Sequence, residues 1–142
     1  MSDADLMKLY SQRILALAAD MPATDPLPHI DAAADLRAPL CGSVVHVDLA
    51  LSGDQITGYA QEVRACALGQ ASAAIFGAHV VGATRDQVAR LRDQLAEMLR
   101  GGPVPDAPFA EYEVLTAARD YPNRHASILL APNAVLKAMD GA

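Results

Sequence analysis

Residues 44–66, VVHVDLALSGDQITGYAQEVRAC, decide the fold, because the hydrophobic period changes within them. Val45, Val47, Leu49 and Leu51 alternate with Val44, His46, Asp48 and Ala50, the period-two pattern of a half-buried strand. Ser52, Gly53, Asp54 and Gln55 supply turn chemistry. The chain from Ile56 to Ala65 then returns as a second strand, so the two segments pair as an antiparallel hairpin. After Cys66 the pattern turns helical, and Ala67, Gly69, Ala71, Ala73, Ala74, Gly77 and Ala78 allow this helix to pack close to its neighbours.

Upstream of the hairpin, residues 4–19 read as an amphipathic helix with Leu6, Leu9, Tyr10, Ile14 and Leu17 at helical spacing. The stretch MPATDPLPH (21–29) ends it, since its prolines cannot continue a helix and favour an extended connection. Residues 31–37 supply a candidate third strand. Downstream, Thr84 is placed to cap a helix whose stripe is Val88, Leu91, Leu95 and Leu99, closed by Gly101, Gly102 and Pro103. FAEYEVLTAARDYP (109–122) predicts another helix, which stops near Pro122 and leaves His125 on a loop or strand edge. A last short helix starts at Pro132, a good first-turn residue. Early strands and late helices predict an α+β fold, a small antiparallel three-stranded sheet packed with helices, over a single domain spanning residues 1–142.

Composition narrows the function. A chain of 142 residues with 52% apolar content is long enough for one core and folds rather than remaining disordered. Its formal charge of −6 offers no basic stripe to displace counterions from phosphates, so no nucleic acid is expected as partner. No membrane is expected either: the apolar run 65–84 contains Gln70, Ser72, His79 and several glycines, and reads as a buried helix. The opening MSDADLMKLY is acidic where a secretion signal would be basic, and two cysteines make no disulfide framework, so a reducing cytoplasmic setting is expected.

The usual signatures of phosphate loops, nucleophile elbows, zinc proteases and paired-cysteine motifs are missing. The chemistry-bearing residues are cysteines and histidines. Cys66 lies where strand becomes helix. A helix N-terminus and Arg64 both favour its thiolate, the form that binds metals and attacks electrophiles. Cys41 precedes the hairpin and Cys66 follows it, so pairing of the strands draws the two together. Each also fits a buried small hydrophobe, a common role for cysteine. Of the histidines, His46 falls on a polar strand face, His79 within a helix and His29 in the proline-rich connector. His125 can face a site from its loop. Two thiolates and one imidazole suit a Cys₂His metal site with an open fourth position, although the spacing alone does not place the histidine.

With these residues in view, the chain resembles the U-type iron–sulfur cluster assembly scaffolds: IscU, SufU and the N-terminal domain of NifU. LYSQRIL (9–15) leads through the proline-rich connector to PLCGS (39–43), similar to the family's P-x-C-G-D. RACALGQASAA (64–74) is similar to its G-C-x-x-x-x-A-S, and RHASILL (124–130) stands where the family carries a histidine or lysine followed by a third cysteine. The extra helical segment between the last two motifs is closer to the SufU branch. The resemblance places the third-cysteine position at Ala126 and the aspartate position at Ser43, so both of those ligands are missing. It implies a scaffold or sulfur-carrier accessory more than an enzyme. Cys41 and Cys66 would bind an iron–sulfur cluster, and a zinc or iron ion would be held weakly or transiently by Cys41, Cys66 and His125. A cysteine desulfurase and other assembly proteins are the implied partners. Because a cluster generally needs four protein ligands, a homodimer in which two chains share one cluster is compatible with two cysteines per chain. Two further readings stand beside this one. One is a zinc-dependent sulfur acceptor with Cys41 taking persulfide, and the other a degenerate module that keeps the fold without metal chemistry.

Overall fold

The period-two run and its return do pair. In the computed structural model, which describes residues 11–39 and 42–141, β1 (Ala32–Arg37), β2 (Val44–Ser52) and β3 (Gln55–Arg64) form one antiparallel sheet in the order β1-β2-β3. Register is fixed by Asp35 opposite His46 on one side of β2 and by Val44 opposite Arg64 on the other. Val45, Val47 and Leu49 are buried, whereas Val44, His46 and Asp48 face outward and are half-buried. A one-residue slip would exchange these two sets, so burial of one face holds the register. An irregularity between Ala50 and Leu51 shifts the pairing near the turn and lets Ile56 enter the core.

Helices cover the buried face. The first, α1 (Gln12–Ala19), is capped by Ser11 and buries Ile14; the remainder of the helix expected over 4–19 lies outside the described residues. The helix α2 (Ala67–His79) begins immediately after Cys66 and buries Leu68, Ala71, Ile75 and Phe76. Next, α3 (Arg85–Leu99) carries the expected stripe of Val88, Leu91, Leu95 and Leu99. Its N-terminus is a full capping box in which Thr84 accepts from the Gln87 amide while the Gln87 side chain accepts from the Thr84 amide. The connector after α1 is not a free linker. The Gln61 amide of edge strand β3 donates to the Ala23 carbonyl at 2.8 Å, and the Gln61 side chain donates to the carbonyls of Pro22 and Ala73.

Three expectations need revision. The segment expected as a helix near 109–122 is a 3₁₀ helix, Ala110–Asp120. The N-cap Phe109 and the helix residues Tyr112, Leu115 and Ala118 are buried, a spacing of three that matches 3.0 residues per turn. His125 is not on a loop or strand edge: it opens the short helix α4 (His125–Ile128), directly after a 3₁₀ turn at Pro122–Arg124. The last helix, α5 (Leu130–Asp140), starts two residues before Pro132. Proline still sits in the first turn, where a missing N–H costs no helical hydrogen bond. The rest of the reading, an α+β fold with a small antiparallel sheet, matches the structure.

Candidate functional site

Strand order and register bring three segments to one end of the sheet. Arg37 opposite Val44 and Val44 opposite Arg64 set the β1–β2 loop beside the start of α2. That loop is closed by the Ala38 amide on the Ser43 carbonyl at 2.8 Å and by the Gly42 amide on the Ala38 carbonyl at 3.1 Å. Gly42 takes a positive φ of 69°, a conformation glycine adopts without the Cβ penalty. Cys41 belongs to this loop by sequence but lies outside the described residues.

Cys66 is the N-cap of α2, extended at φ −64° and ψ 169°, and its thiol makes no capping bond. It is half-buried, with its Sγ 3.7 Å from the Oγ of Ser127. The buried Ser127 hydroxyl in turn donates to the Oγ of buried Ser43 at 2.9 Å. A cysteine, a serine from α4 and a serine from the base of the Cys41 loop therefore form one chain of polar contacts.

Why Ser127 reaches Cys66 follows from the face of α2 that carries it. Residues three apart share a helix face, and Cys66, Gly69 and Ser72 lie on one such line. A Cβ at Gly69 would overlap the Ser127 Oγ and approach the Ala65 Cβ to 2.9 Å, so glycine there admits the serine. One turn on, the Ser72 hydroxyl donates to the Ile128 carbonyl, and the Tyr112 hydroxyl donates to the Ser72 carbonyl at 2.9 Å. Burial pushes the Tyr112 phenol well above its usual range, so the phenol keeps its proton and stays a donor. Thus α4 is bolted to α2 on the side that faces the cysteine.

The residues expected from sequence divide accordingly. Cys66 is present at the site. Ser127, the residue after Ala126, lies beside it, with its Oγ 3.7 Å from the Cys66 Sγ. His125 precedes Ser127 by two positions, about 200° around a helix, and such residues do not share a face. Its Nε2 lies 2.8 Å from the Ala118 carbonyl, a hydrogen bond to the 3₁₀ helix and not to the cysteine. Among the described residues no group of three His, Cys, Asp or Glu side chains converges as for a metal ion. From sequence, Gly69 is legible as a close-packing position and Ser72 only as a polar residue in an apolar run; Ser127 and Tyr112 are not singled out, although Ser127 stands inside RHASILL.

Away from this end, His46 bridges two carboxylates on the outer sheet face, with Nδ1 2.7 Å from Asp35 and Nε2 2.8 Å from Asp48. The hydrogen bond that His46 donates to Asp35, aided by that to Asp48, holds the His46 pKa above its usual value against the opposing effect of burial.

Comparison with known proteins fits this architecture. No model of a known protein family matches the chain. The iron-sulfur cluster assembly scaffold protein IscU of Streptococcus pyogenes serotype M1 is 28% identical over 108 residues, 75% of this chain and 68% of that protein. The crystal structure of a nitrogen-fixing NifU-like protein (N-terminal) from Brucella abortus matches with a TM-score of 0.90 at 39% identity, covering 96% of this chain and 95% of that one. A putative SUF-system scaffold, FiSufU of Fervidobacterium islandicum AW-1, matches with a TM-score of 0.83 at 19% identity over 94% of this chain, a likeness that speaks to the fold alone. Strand order, the cysteine at the head of α2 and a relative matched over nearly its whole length at 39% identity lead to one conclusion: this chain belongs to the U-type iron–sulfur cluster assembly scaffold family, beside the NifU-like N-terminal proteins.

Proposed function

We propose that this protein is an iron–sulfur cluster assembly scaffold of reduced donor set, which takes sulfur or iron as cargo on Cys41 and Cys66 and passes it on. The observation that carries the reading is Cys66 itself. It is half-buried at the head of α2, free of any capping bond, in a chain whose relatives include a protein named as such a scaffold. A resident zinc ion or a whole cluster does not fit the donors of one chain. Stable sites need four ligands, nearly all thiolates for a cluster. Here Cys66 faces hydroxyls, and the His125 Nε2 is engaged by Ala118.

Sulfur is the cargo this donor set suits best. A cysteine thiolate attacks the outer sulfur of a persulfide on a partner; the new S–S bond forms as the old one breaks, and the partner's cysteine leaves as thiolate. No outside oxidant or reductant is needed. A cysteine desulfurase is the partner that carries such a persulfide. Iron–sulfur cargo would call for two chains, each contributing Cys41 and Cys66. No described helix is long and apolar enough to cross a membrane.

The test is to incubate wild type, Cys41→Ser and Cys66→Ser with a cysteine desulfurase and free cysteine, then weigh the intact proteins under non-reducing conditions. Wild type should gain the mass of one or more sulfur atoms, reversed by dithiothreitol, and at least one variant should lose most of that gain while melting like wild type. If no protein gains sulfur or reconstituted iron, the alternative of an interaction module without cargo takes its place. The serines beside Cys66 are the observation that favours that alternative.

A further inference from the structure

We propose that Arg37 and Arg64, which share one row on the outer face of the sheet beside Cys66, form a docking point for a carboxylate-rich surface on the protein that exchanges cargo with that cysteine. The inference rests on the reading of Cys66 as a cargo residue and adds the surface that turns a partner towards it.

Register puts the two guanidiniums on one row. Arg37 of β1 and Arg64 of β3 both stand opposite Val44, on the strand between them. Neighbouring strands lie about 4.8 Å apart, so the two Cα atoms are about 10 Å from one another. Val45 is buried, so Val44 and its two partners face outward, and both arginines are exposed. Arg64 precedes Cys66 by two residues, and Arg37 adjoins Ala38, whose amide closes the loop on Ser43.

The fold makes almost no use of these charges. Arg13, Arg85, Arg90, Arg92 and Arg100 each meet a carboxylate at 3.5 Å or less, and Arg119 donates to two backbone carbonyls. Arg37 has no such partner among the described residues. The Asp35 carboxylate one row behind it is taken by His46 at 2.7 Å. Arg64 approaches Glu62 only at 3.9 Å, with both side chains mostly exposed, and such a pair adds little to stability. Half-buried Arg124 is the one other arginine without a partner among the described residues, so the exposed and weakly engaged guanidiniums are the two on the sheet.

Charge then selects the partner. The chain carries a formal charge of −6. The row behind the arginines is acidic, with Asp35 and Glu62 on either side of His46. Rows on one face are about 7 Å apart, close to the Debye length of about 8 Å at physiological salt. An approaching protein therefore meets the field of the front row before that of the row behind. A basic partner would be drawn to most of the surface and held off at this end. An acidic partner is repelled elsewhere and attracted here, which orients it towards Cys66. Spread along a strand row with Val44 between them, the arginines suit carboxylates on a protein surface and do not enclose a small anion.

The experiment measures association of the full-length protein with the cysteine desulfurase of the same organism by biolayer interferometry, with sulfur uptake followed by intact mass. It is run at about 0.05 M and about 0.5 M salt, where the Debye length changes about threefold. Wild-type association should slow on the order of tenfold at the higher salt. Arg37→Glu combined with Arg64→Glu should associate on the order of tenfold more slowly than wild type at low salt and within about twofold of it at high salt. The concentration of this pair that half-saturates sulfur uptake should rise in step, by more than any fall in maximal uptake. Arg37→Lys combined with Arg64→Lys, which keeps both charges, should stay within about threefold of wild type. Arg92→Glu combined with Arg100→Glu makes the same change of net charge on α3 and should also stay within about threefold. If the reversal pair melts early, Arg37→Gln combined with Arg64→Gln carries the comparison, with an effect of the same sign.

The proposal is overturned if wild type does not bind the desulfurase, if its association is indifferent to salt, if the reversal pair associates as fast as wild type, or if the α3 pair slows association as much. Failure of the cargo reading is distinct. Wild type then binds with the expected salt dependence and the expected effect of reversal, yet gains no sulfur.

Discussion

Tyr112 and Ser72 show how single hydroxyls fix the site. Both side chains are buried; hydrogen bonds at 2.9 and 3.1 Å between them join the 3₁₀ helix to α2, and the Ser72 hydroxyl also reaches the Ile128 carbonyl of α4. Tyr112→Phe removes the donor to the Ser72 carbonyl and should cost about 1–2 kcal/mol in urea denaturation. Gly69→Ala should cost about 1–3 kcal/mol, because its new Cβ falls on Ser127. A neutral Gly69→Ala would mean that α4 does not lie against α2 as described. His46 offers a pH test. Its folded-state pKa is raised, first by the hydrogen bond it donates to Asp35. The stability it contributes is therefore fully present below its unfolded value of about 6.5 and is lost as pH rises through the higher folded value. Melting temperature should fall over that window in wild type and stay flatter in His46→Gln; parallel profiles would show that the Asp35–His46–Asp48 bridge carries no pH-dependent stability. Cys66 was legible at this scale from its place between two hydrophobic periods. Ser127 was not, because nothing in RHASILL says whether the chain there is a loop or a helix, and a change from one to the other moves the inward-facing position.

At the scale of elements, the strongest signals were those with a local cause. Val45, Val47 and Leu49 alternate because one sheet face is buried, and Thr84 with Gln87 announces a helix start through its own hydrogen bonds. Thr84→Ala should therefore destabilise the protein by about 1 kcal/mol, measured by denaturant titration, with far-ultraviolet circular dichroism little changed. The segment 110–120 was harder. Its apolar residues recur every third position at Phe109, Tyr112, Leu115 and Ala118, a period close enough to 3.6 to pass for an ordinary amphipathic helix over so short a span. The start of α5 was misplaced for a related reason. Proline is acceptable anywhere in a first turn, so Pro132 marks that turn without saying which of its residues it is.

For the molecule as a whole, the α+β arrangement followed from the order of periods along the chain, whereas the meeting of the cysteine loop, the head of α2 and α4 is a long-range consequence of packing. Contacts such as Ser43 with Ser127 join residues far apart in sequence, and no periodicity records them. The account depends on Cys41 and Cys66 sharing one site at the end of the β2–β3 pair, and oxidation tests this directly. Dilute, fully reduced protein treated with diamide, digested and mapped by mass spectrometry should yield a peptide cross-linked through Cys41 and Cys66 as the main oxidised product, independent of protein concentration. A product that is wholly intermolecular, or two cysteines that remain unpaired while the fold is intact, would contradict a shared site.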